Sequence, residues 1–512
     1  MTLAKTLMVQ GTASSVGKSL LVAALCRIYR RRGGRVAPFK AQNMSLNAAV
    51  TSDGLEIGRA QAMQAEAAGL AARVEMNPIL LKPEGEQRSQ LVLMGRPVGH
   101  VTAASYYTDD RRALREAIAE CLQKLRQEHE LVIIEGAGSP AEVNLMHRDL
   151  VNMHVARLAN APVVLVGDID RGGVFASLLG TLDLLDAEDR ARVVGLVVNK
   201  FRGDPTLFAD GAEFLGQRSG KPVLGVVPHV PRLVLPDEDS QSLAERPNHF
   251  ASVDDDATLR IAVIRLPRIS NHDDVLCLEH EPGVHVAFVD HSEDVGSCDL
   301  VIVPGSKNTV ADLHWLRVQG FERLIAARAQ RGEAVLGICG GYQMLGQRID
   351  DPEGVESEQR SVMGLGVLPV VTTYRRHKVT SQVRAKLRMD VRDNLLASAG
   401  SLDEELTAYE IHHGEVALAH KGDALFEIQR AGGQSVSDGA VNAEGNVVGT
   451  LLHGLFENAS LRAALLSSLR RRRGLLAAGG SMLPARSQEY DRLADAVQGA
   501  LDMSLLDRLI GL

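Results

Sequence analysis

Short runs of Val, Ile and Leu recur along the chain: TLMVQG (6–11), LVIIEG (131–136), PVVLVGD (162–168), VVGLVVNK (193–200), PVLGVVP (222–228), IAVIRLP (261–267), LVIVPG (300–305) and VLGIC (335–339). Such uninterrupted apolar runs fit strands buried on both faces. Between most of them lie segments with apolar residues at helical spacing, such as SLLVAALCRIYRRR (19–32) and RRALREAIAECLQKL (111–125). This alternation predicts an α/β protein of parallel sheets with helices on both faces. It occurs on either side of PDEDSQSLAERPNHFASVDDDA (236–257), which is acidic and lacks apolar periodicity. A stretch of that kind reads as a linker. The expected organisation is therefore a first domain over 1–236, a linker over 237–257, a second domain over 258–475, and a C-terminal extension over 476–512 that is helical by pattern.

With 512 residues the chain is too long for one core, which agrees with two domains. A net charge of −8 and 4% aromatic residues give no reason to expect nucleic acid as a partner. The five cysteines are scattered without a C-x-x-C pair, so neither a disulfide framework nor a zinc site is expected and a reducing cytoplasm fits best. The N-terminal MTLAKTLMVQG reads as a first strand and not a signal peptide, and no apolar run is long enough for a membrane helix. The arginine run Arg470–Arg473 reads as a solvated helix end. Nothing in the sequence bears on oligomeric state.

Chemistry enters at two strand-to-helix junctions. The first is GTASSVGKS, Gly11 to Ser19, with Thr12, Ser15 and Gly17 in the loop. Backbone N–H groups of such a loop cradle phosphates, Lys18 can reach the terminal phosphates, and Ser19 can ligate Mg²⁺. Five residues separate Gly11 from Gly17, one more than in a standard P-loop, a spacing that resembles dethiobiotin synthetase and its relatives. Glu135 stands at a strand end, where ligand sites of open α/β sheets gather, and is a candidate metal ligand; Asp53, in a TSDG turn, is a poorer one. Asp168 and Asp170, followed by Arg171, also end a strand and could bind metal or substrate. Asn199 and Lys200 could read the nucleotide base or cap their strand.

The second junction is LGICGGYQMLG, with Cys339 between a buried strand and a helix start. A thiol at a helix N-terminus is activated toward thiolate, and Gly340 and Gly341 leave room for a tight turn and argue against burial of the sulfur. His453, in VVGTLLHGLFEN, is the best-placed general base because it too leaves a strand-like run, with His412 and His413 as competitors. Gly305, in VIVPGSKNT, offers backbone donors for an oxyanion.

Taken in order, the blocks VQGTASSVGKSLLVAALCRIYRRRGGRVAPFKAQNMSLNA, GDIDRGGVFAS, VPGSKNT, GICGGYQMLG, YEIHHG and GTLLHGLFEN resemble the cobyric acid synthase family over nearly the whole length. The resemblance implies a dethiobiotin-synthetase-like ATPase domain followed by a class I glutamine amidotransferase domain. It further implies that Gly11 to Ser19 bind ATP, Cys339 is the glutaminase nucleophile and His453 its base. ATP, Mg²⁺ and glutamine would serve to amidate the b, d, e and g carboxylates of adenosylcobyrinic acid a,c-diamide. Possible corrinoid contacts are Asn43, Lys82, Arg88, Asp168 and Arg171, with Lys40 and Arg59 further cations that could face it. Related readings are a cobyrinic acid a,c-diamide synthase, a P-loop switch protein and a catalytically silent corrinoid scaffold; KAQNMSLNA favours the cobyric acid synthase family over the diamide synthase, and the thiol domain weighs against a switch. One departure stands out. Ordinary class I amidotransferases carry a glutamate two residues after the histidine; here that residue is Leu455, and Glu457 cannot be assumed to replace it, so the group that orients His453 is left open.

Overall fold

The computed structural model describes residues 3–85, 87–108, 111–236, 243, 246–250, 257–388, 394–396, 404–418, 424–476 and 483–512. The chain forms two compact units: Met1–Ser45 with Glu56–Asp239 and Pro484–Leu512, and Leu46–Leu55 with Ser240–Leu483. Two departures from contiguous blocks follow. Leu46–Leu55 belongs to the second unit, and the C-terminal extension from Pro484 belongs to the first. Most of the expected linker falls outside the described residues.

The first unit is built on a parallel sheet in the order Val223–Pro228, Val193–Phe201, Val163–Asp168, Lys5–Gly11, Leu131–Glu135, Val36–Phe39. Its central strands are buried throughout, as their unbroken apolar runs require. The order reverses at Lys5–Gly11, so the loop leaving that strand lies at the switch point where such sheets bind ligands. A four-stranded sheet, Gln42–Met44, Ile79–Pro83, Arg88–Leu93 and Arg96–Thr102, completes the unit. The C-terminal helix Arg486–Ala500 packs onto the helix Lys18–Arg31 and Met503–Ile510 onto the strands Lys5–Gly11 and Val223–Pro228, with Tyr490, Leu493, Val497, Leu506 and Ile510 in one buried cluster. Burying each such side chain stabilises by roughly 1.5–3 kcal/mol. Arg27 adds a two-pronged pair with Asp491 at 2.8 and 2.9 Å.

The second unit repeats the logic with a sheet ordered Val284–Val289, Leu259–Ile264, Leu300–Val303, Ala334–Ile338, Val447–Thr450, Ala440–Val441, parallel except for its last pair. A second sheet is dominated by the antiparallel strands Val370–Leu387 and Leu406–Leu418. The Arg470–Arg473 run is more than a solvated helix end: Arg472 donates to Gly332 O at 3.2 Å and Arg473 to Thr258 O at 2.6 Å. Among the described residues no helix is long and apolar enough to cross a membrane.

Candidate active site

In the first unit the loop from Gly11 joins the strand Lys5–Gly11 to the helix that begins at Lys18. Thr12 N–H donates to Val166 O at 2.9 Å, and Ser15 takes a left-handed φ of 58°. Gly17 has φ 95°, and a Cβ there would stand 2.2 Å from Asn199 Nδ2, so only glycine lets Asn199 donate to Val16 O at 2.8 Å. Asn199 therefore holds the loop from behind. Lys200 does the same, donating to Ser15 O at 2.6 Å and pairing with Asp168 at 2.9 Å. Lys18 Nζ donates to Ala13 O at 2.9 Å and Gly138 O at 3.2 Å, which keeps its charge over the loop.

Ser19 Oγ donates to Glu135 Oε1 at 2.9 Å, and Lys40 Nζ meets the same oxygen at 2.8 Å. Gln64 donates to Oε2. Lys40 and Glu135 are both buried, a charge pair that survives removal from water only because each satisfies the other. The hydroxyl and carboxylate are hard oxygen donors, and Mg²⁺ in nucleotide sites commonly takes one or two protein oxygens besides phosphates and water, so the pair fits that ion. Asp53 lies in the Leu46–Leu55 segment of the second unit, is exposed, and accepts from Ser52 Oγ. No cluster of three or more His, Cys, Asp or Glu suited to a metal occurs among the described residues.

The expected corrinoid contacts divide. Lys82 is buried and paired with Glu56 at 2.6 Å inside a hairpin, so it is no rim residue. Asn43 is buried and donates to Gln61 Oε1 at 3.2 Å. Asp168 is buried beside Lys200. Arg88, near Glu84, and Arg171 are exposed. Lys40 and Arg59, the other cations named for this role, are buried.

In the second unit Cys339 stands between the strand Ala334–Ile338 and the helix Gly340–Leu345 with φ 50° and ψ −110°, a strained conformation for a residue with a side chain. Its N–H donates to Thr450 O at 2.8 Å, tying the turn to the strand that leads toward His453. The sulfur is buried, with Cys339 only 6% exposed, contrary to the reading of its flanking glycines. Those glycines serve packing: a Cβ on Gly341 would fall 1.9 Å from Val303 O, and one on Gly340 2.9 Å from Ser306 N. Gly305 is close as well, since a Cβ there would lie 3.3 Å from His453 Cε1.

His453, 1% exposed, donates from Nδ1 to Asp274 Oδ2 at 2.6 Å, with the Cys339 sulfur near enough to act on its charge. The other carboxylate oxygen accepts from Gly454 N–H at 2.8 Å. Tyr409 stacks on the imidazole, centroids 5.2 Å apart, and exchanges backbone hydrogen bonds with His453 at 2.9 and 3.2 Å. Burial opposes the charged imidazolium, but the Asp274 carboxylate with its hydrogen bond and the Cys339 sulfur outweigh it and push the His453 pKa up to about 10. Asp274 thus fills the place left open in the sequence. Leu455 lines an apolar cavity with Leu452, Phe456 and Asp274, whereas Glu457 is exposed. The signal was the polar SNHDD after the strand-like IAVIRLP, an acidic pair beyond a strand end. His412 is buried against Glu410 at 3.3 Å, and His413 is half-buried.

A carboxylate not anticipated from sequence completes the unit's polar set. Glu356 Oε2 accepts from Thr309 N–H at 2.9 Å. The Tyr374 hydroxyl donates at 2.9 Å to Gln343, on the helix that follows Cys339. Partial removal from water pushes the Glu356 pKa up to about 7, although Lys307 and the Thr309 hydrogen bond pull it down.

Residues 7–243 match the CobQ/CobB/MinD/ParA nucleotide binding domain, and residues 260–461 match the CobB/CobQ-like glutamine amidotransferase domain. The chain is 55% identical to the cobyric acid synthase of Sorangium cellulosum, with 99% of each chain covered. It is 47% identical to that of Desulforamulus reducens, covering 100% of this chain and 99% of the relative. It is likewise 47% identical to that of Moorella thermoacetica, covering 100% and 98%.

Proposed function

The chain belongs to the cobyric acid synthase family, enzymes of glutamine-dependent amidation in cobalamin biosynthesis, and from that premise we propose how its residues divide the work. Its nucleotide-binding domain implies use of ATP, with a corrinoid and glutamine as the other substrates. Amide formation needs a carboxylate oxygen turned into a leaving group. In the first unit the Gly11–Ser19 loop binds ATP, and the corrinoid carboxylate takes its terminal phosphoryl group to give an acyl phosphate and ADP. Ser19 and Glu135 would hold Mg²⁺, which when bound offsets the phosphate charge. Ammonia then attacks the acyl carbon and phosphate leaves.

The second unit supplies that ammonia. The Cys339 sulfur attacks the side-chain amide carbon of glutamine while His453 takes the thiol proton and returns it to the departing nitrogen. A thioester remains, and water releases glutamate from it. Asp274 fixes the imidazole tautomer and steadies its charge, as the acid of a nucleophile–base–acid triad does. Backbone donors at Gly305 and Gly340 stabilise the oxyanion. Glu356, linked through Thr309 and Gln343 to the helix after the thiol, receives the α-ammonium of glutamine. Arg88 and Arg171 are the exposed cations left to meet the anionic corrinoid.

The observation that carries this reading is the Cys339–His453–Asp274 relay held within one unit. The substrate is proposed to be adenosylcobyrinic acid a,c-diamide, amidated at its b, d, e and g side chains. Incubation with ATP, Mg²⁺, glutamine and cobyrinic acid a,c-diamide tests it by product mass. Stepwise replacement of carboxylate O–H by NH₂ is expected; unchanged diamide overturns the proposal.

A further inference from the structure

The KAQNMSLNA stretch begins in the first unit at Lys40, yet no step above uses its second half, Leu46 onward, which is built into the second unit. Asn47 is buried there, with Nδ2 3.0 Å from the His272 ring nitrogen Nδ1. Ala48 N–H donates to Asn271 Oδ1 at 3.1 Å. Asn271 has φ 51°, a left-handed conformation that a residue with a side chain holds only when its neighbours impose it. Its amide donates to the Tyr409 hydroxyl at 3.0 Å, and its carbonyl accepts from Asp274 N–H at 3.0 Å. The Asn271–Asp274 turn is therefore gripped by Asn47 and Ala48 on one side and by Tyr409 on the other. Tyr409 and Asp274 are the two residues that fix His453 in orientation. The far end of the segment is anchored too: Gln382 donates to Val50 O at 2.8 Å and Thr380 to Gly54 O at 2.6 Å.

We propose that Asn47 and Ala48 are positioning residues for the glutaminase: through the Asn271–Asp274 turn they set where Asp274 and Tyr409 hold the His453 ring. Glutamine hydrolysis then depends on a segment whose flanking residues, Ser45 and Glu56, belong to the nucleotide-binding unit. The segment touches no reacting atom; it fixes the base. Small displacements of a catalytic group, of about 1 Å, cost on the order of 10²-fold in rate, so loosening the turn is expected to act on kcat more than on glutamine binding. The inference rests on the proposed roles of Cys339 and His453.

Its test uses the full-length chain. Asn47→Ala and Ala48→Pro, which removes the N–H given to Asn271, are expected to lower kcat for glutamate release by about tenfold or more, with KM for glutamine changed less than about threefold. Ala48→Gly keeps that N–H and should retain activity. Ammonia-driven amidation should be unaffected in all three. Cys339 alkylation by iodoacetamide should slow in Asn47→Ala and Ala48→Pro, because a misplaced imidazole no longer takes the thiol proton. Unchanged kcat and alkylation rate in both variants would overturn the inference. So would parallel loss of glutamine- and ammonia-driven activity, which marks general unfolding. If instead Cys339→Ala still hydrolysed glutamine, the reading of the site itself would fail, a result distinct from either.

Discussion

Asp274→Asn keeps the size of the side chain and its oxygen for Gly454 N–H, but it presents an NH₂ group to His453 Nδ1 where the carboxylate accepted at 2.6 Å. The ring then loses the carboxylate that supports its positive charge, and a neutral ring bonded to that NH₂ group must carry its proton on Nε2, where it cannot take one from the thiol. Loss of a buried charge-assisted hydrogen bond, together with the wrong tautomer, costs about 3 kcal/mol at the transition state, on the order of 10²-fold in kcat. Glutamate release from glutamine measures it, with ammonia-driven amidation as the control that should hold. The same variant has a stability signature. A histidine whose pKa is raised on folding contributes stability that is fully present below its unfolded value of 6.5 and lost as pH climbs through about 10. Thermal midpoints measured across that window should fall with pH in the wild type and fall less in Asp274→Asn. A variant within about threefold of wild-type kcat would refute the role given to Asp274.

Gly341→Ala sets a Cβ 1.9 Å from the Val303 carbonyl, a backbone atom that cannot turn away; a loss of about 2–3 kcal/mol in denaturant unfolding is expected, together with lost glutaminase. An unchanged unfolding midpoint would contradict that packing. Glu135→Gln leaves Lys40 buried without its counter-charge, at about 3–5 kcal/mol, and should end amidation with either nitrogen source while glutamate release persists, as coupled assays on one preparation can show. Glu356 ionises near pH 7, so KM for glutamine should fall as pH rises through that value; in Glu356→Gln it should be higher and insensitive to pH over the same range.

Both parallel sheets were legible because their strands are buried on two faces and so leave unbroken apolar runs. The P-loop, Cys339 and His453 were legible because each sits where such a run gives way to glycine. Asp274 was not. It comes from a loop that follows a different strand, and its partnership with a residue 179 positions away is set by the sheet order that brings the two strand ends to one edge. The burial of Cys339 was misread for a related cause: Gly340 and Gly341 signal close approach, and what approaches is the Val303–Ser306 backbone. Lys82 looked like a rim cation because a loop of Pro and Gly follows it, but it pairs with Glu56, 26 residues earlier, whose own sequence context is silent. The fate of Leu46–Leu55 could not be read locally either, since its partners Asn271, Thr380 and Gln382 lie hundreds of positions away.

The central claim is that the Cys339 thiol releases ammonia for an amidation carried out by ATP chemistry elsewhere in the same chain. Cys339→Ala, assayed with ATP, Mg²⁺ and cobyrinic acid a,c-diamide, tests it most directly. With glutamine as the only nitrogen source the corrinoid mass should stay unchanged and no glutamate should appear, while added ammonia should restore the wild-type product. Glutamine-driven amidation by this variant, or failure with ammonia as well, would contradict the account.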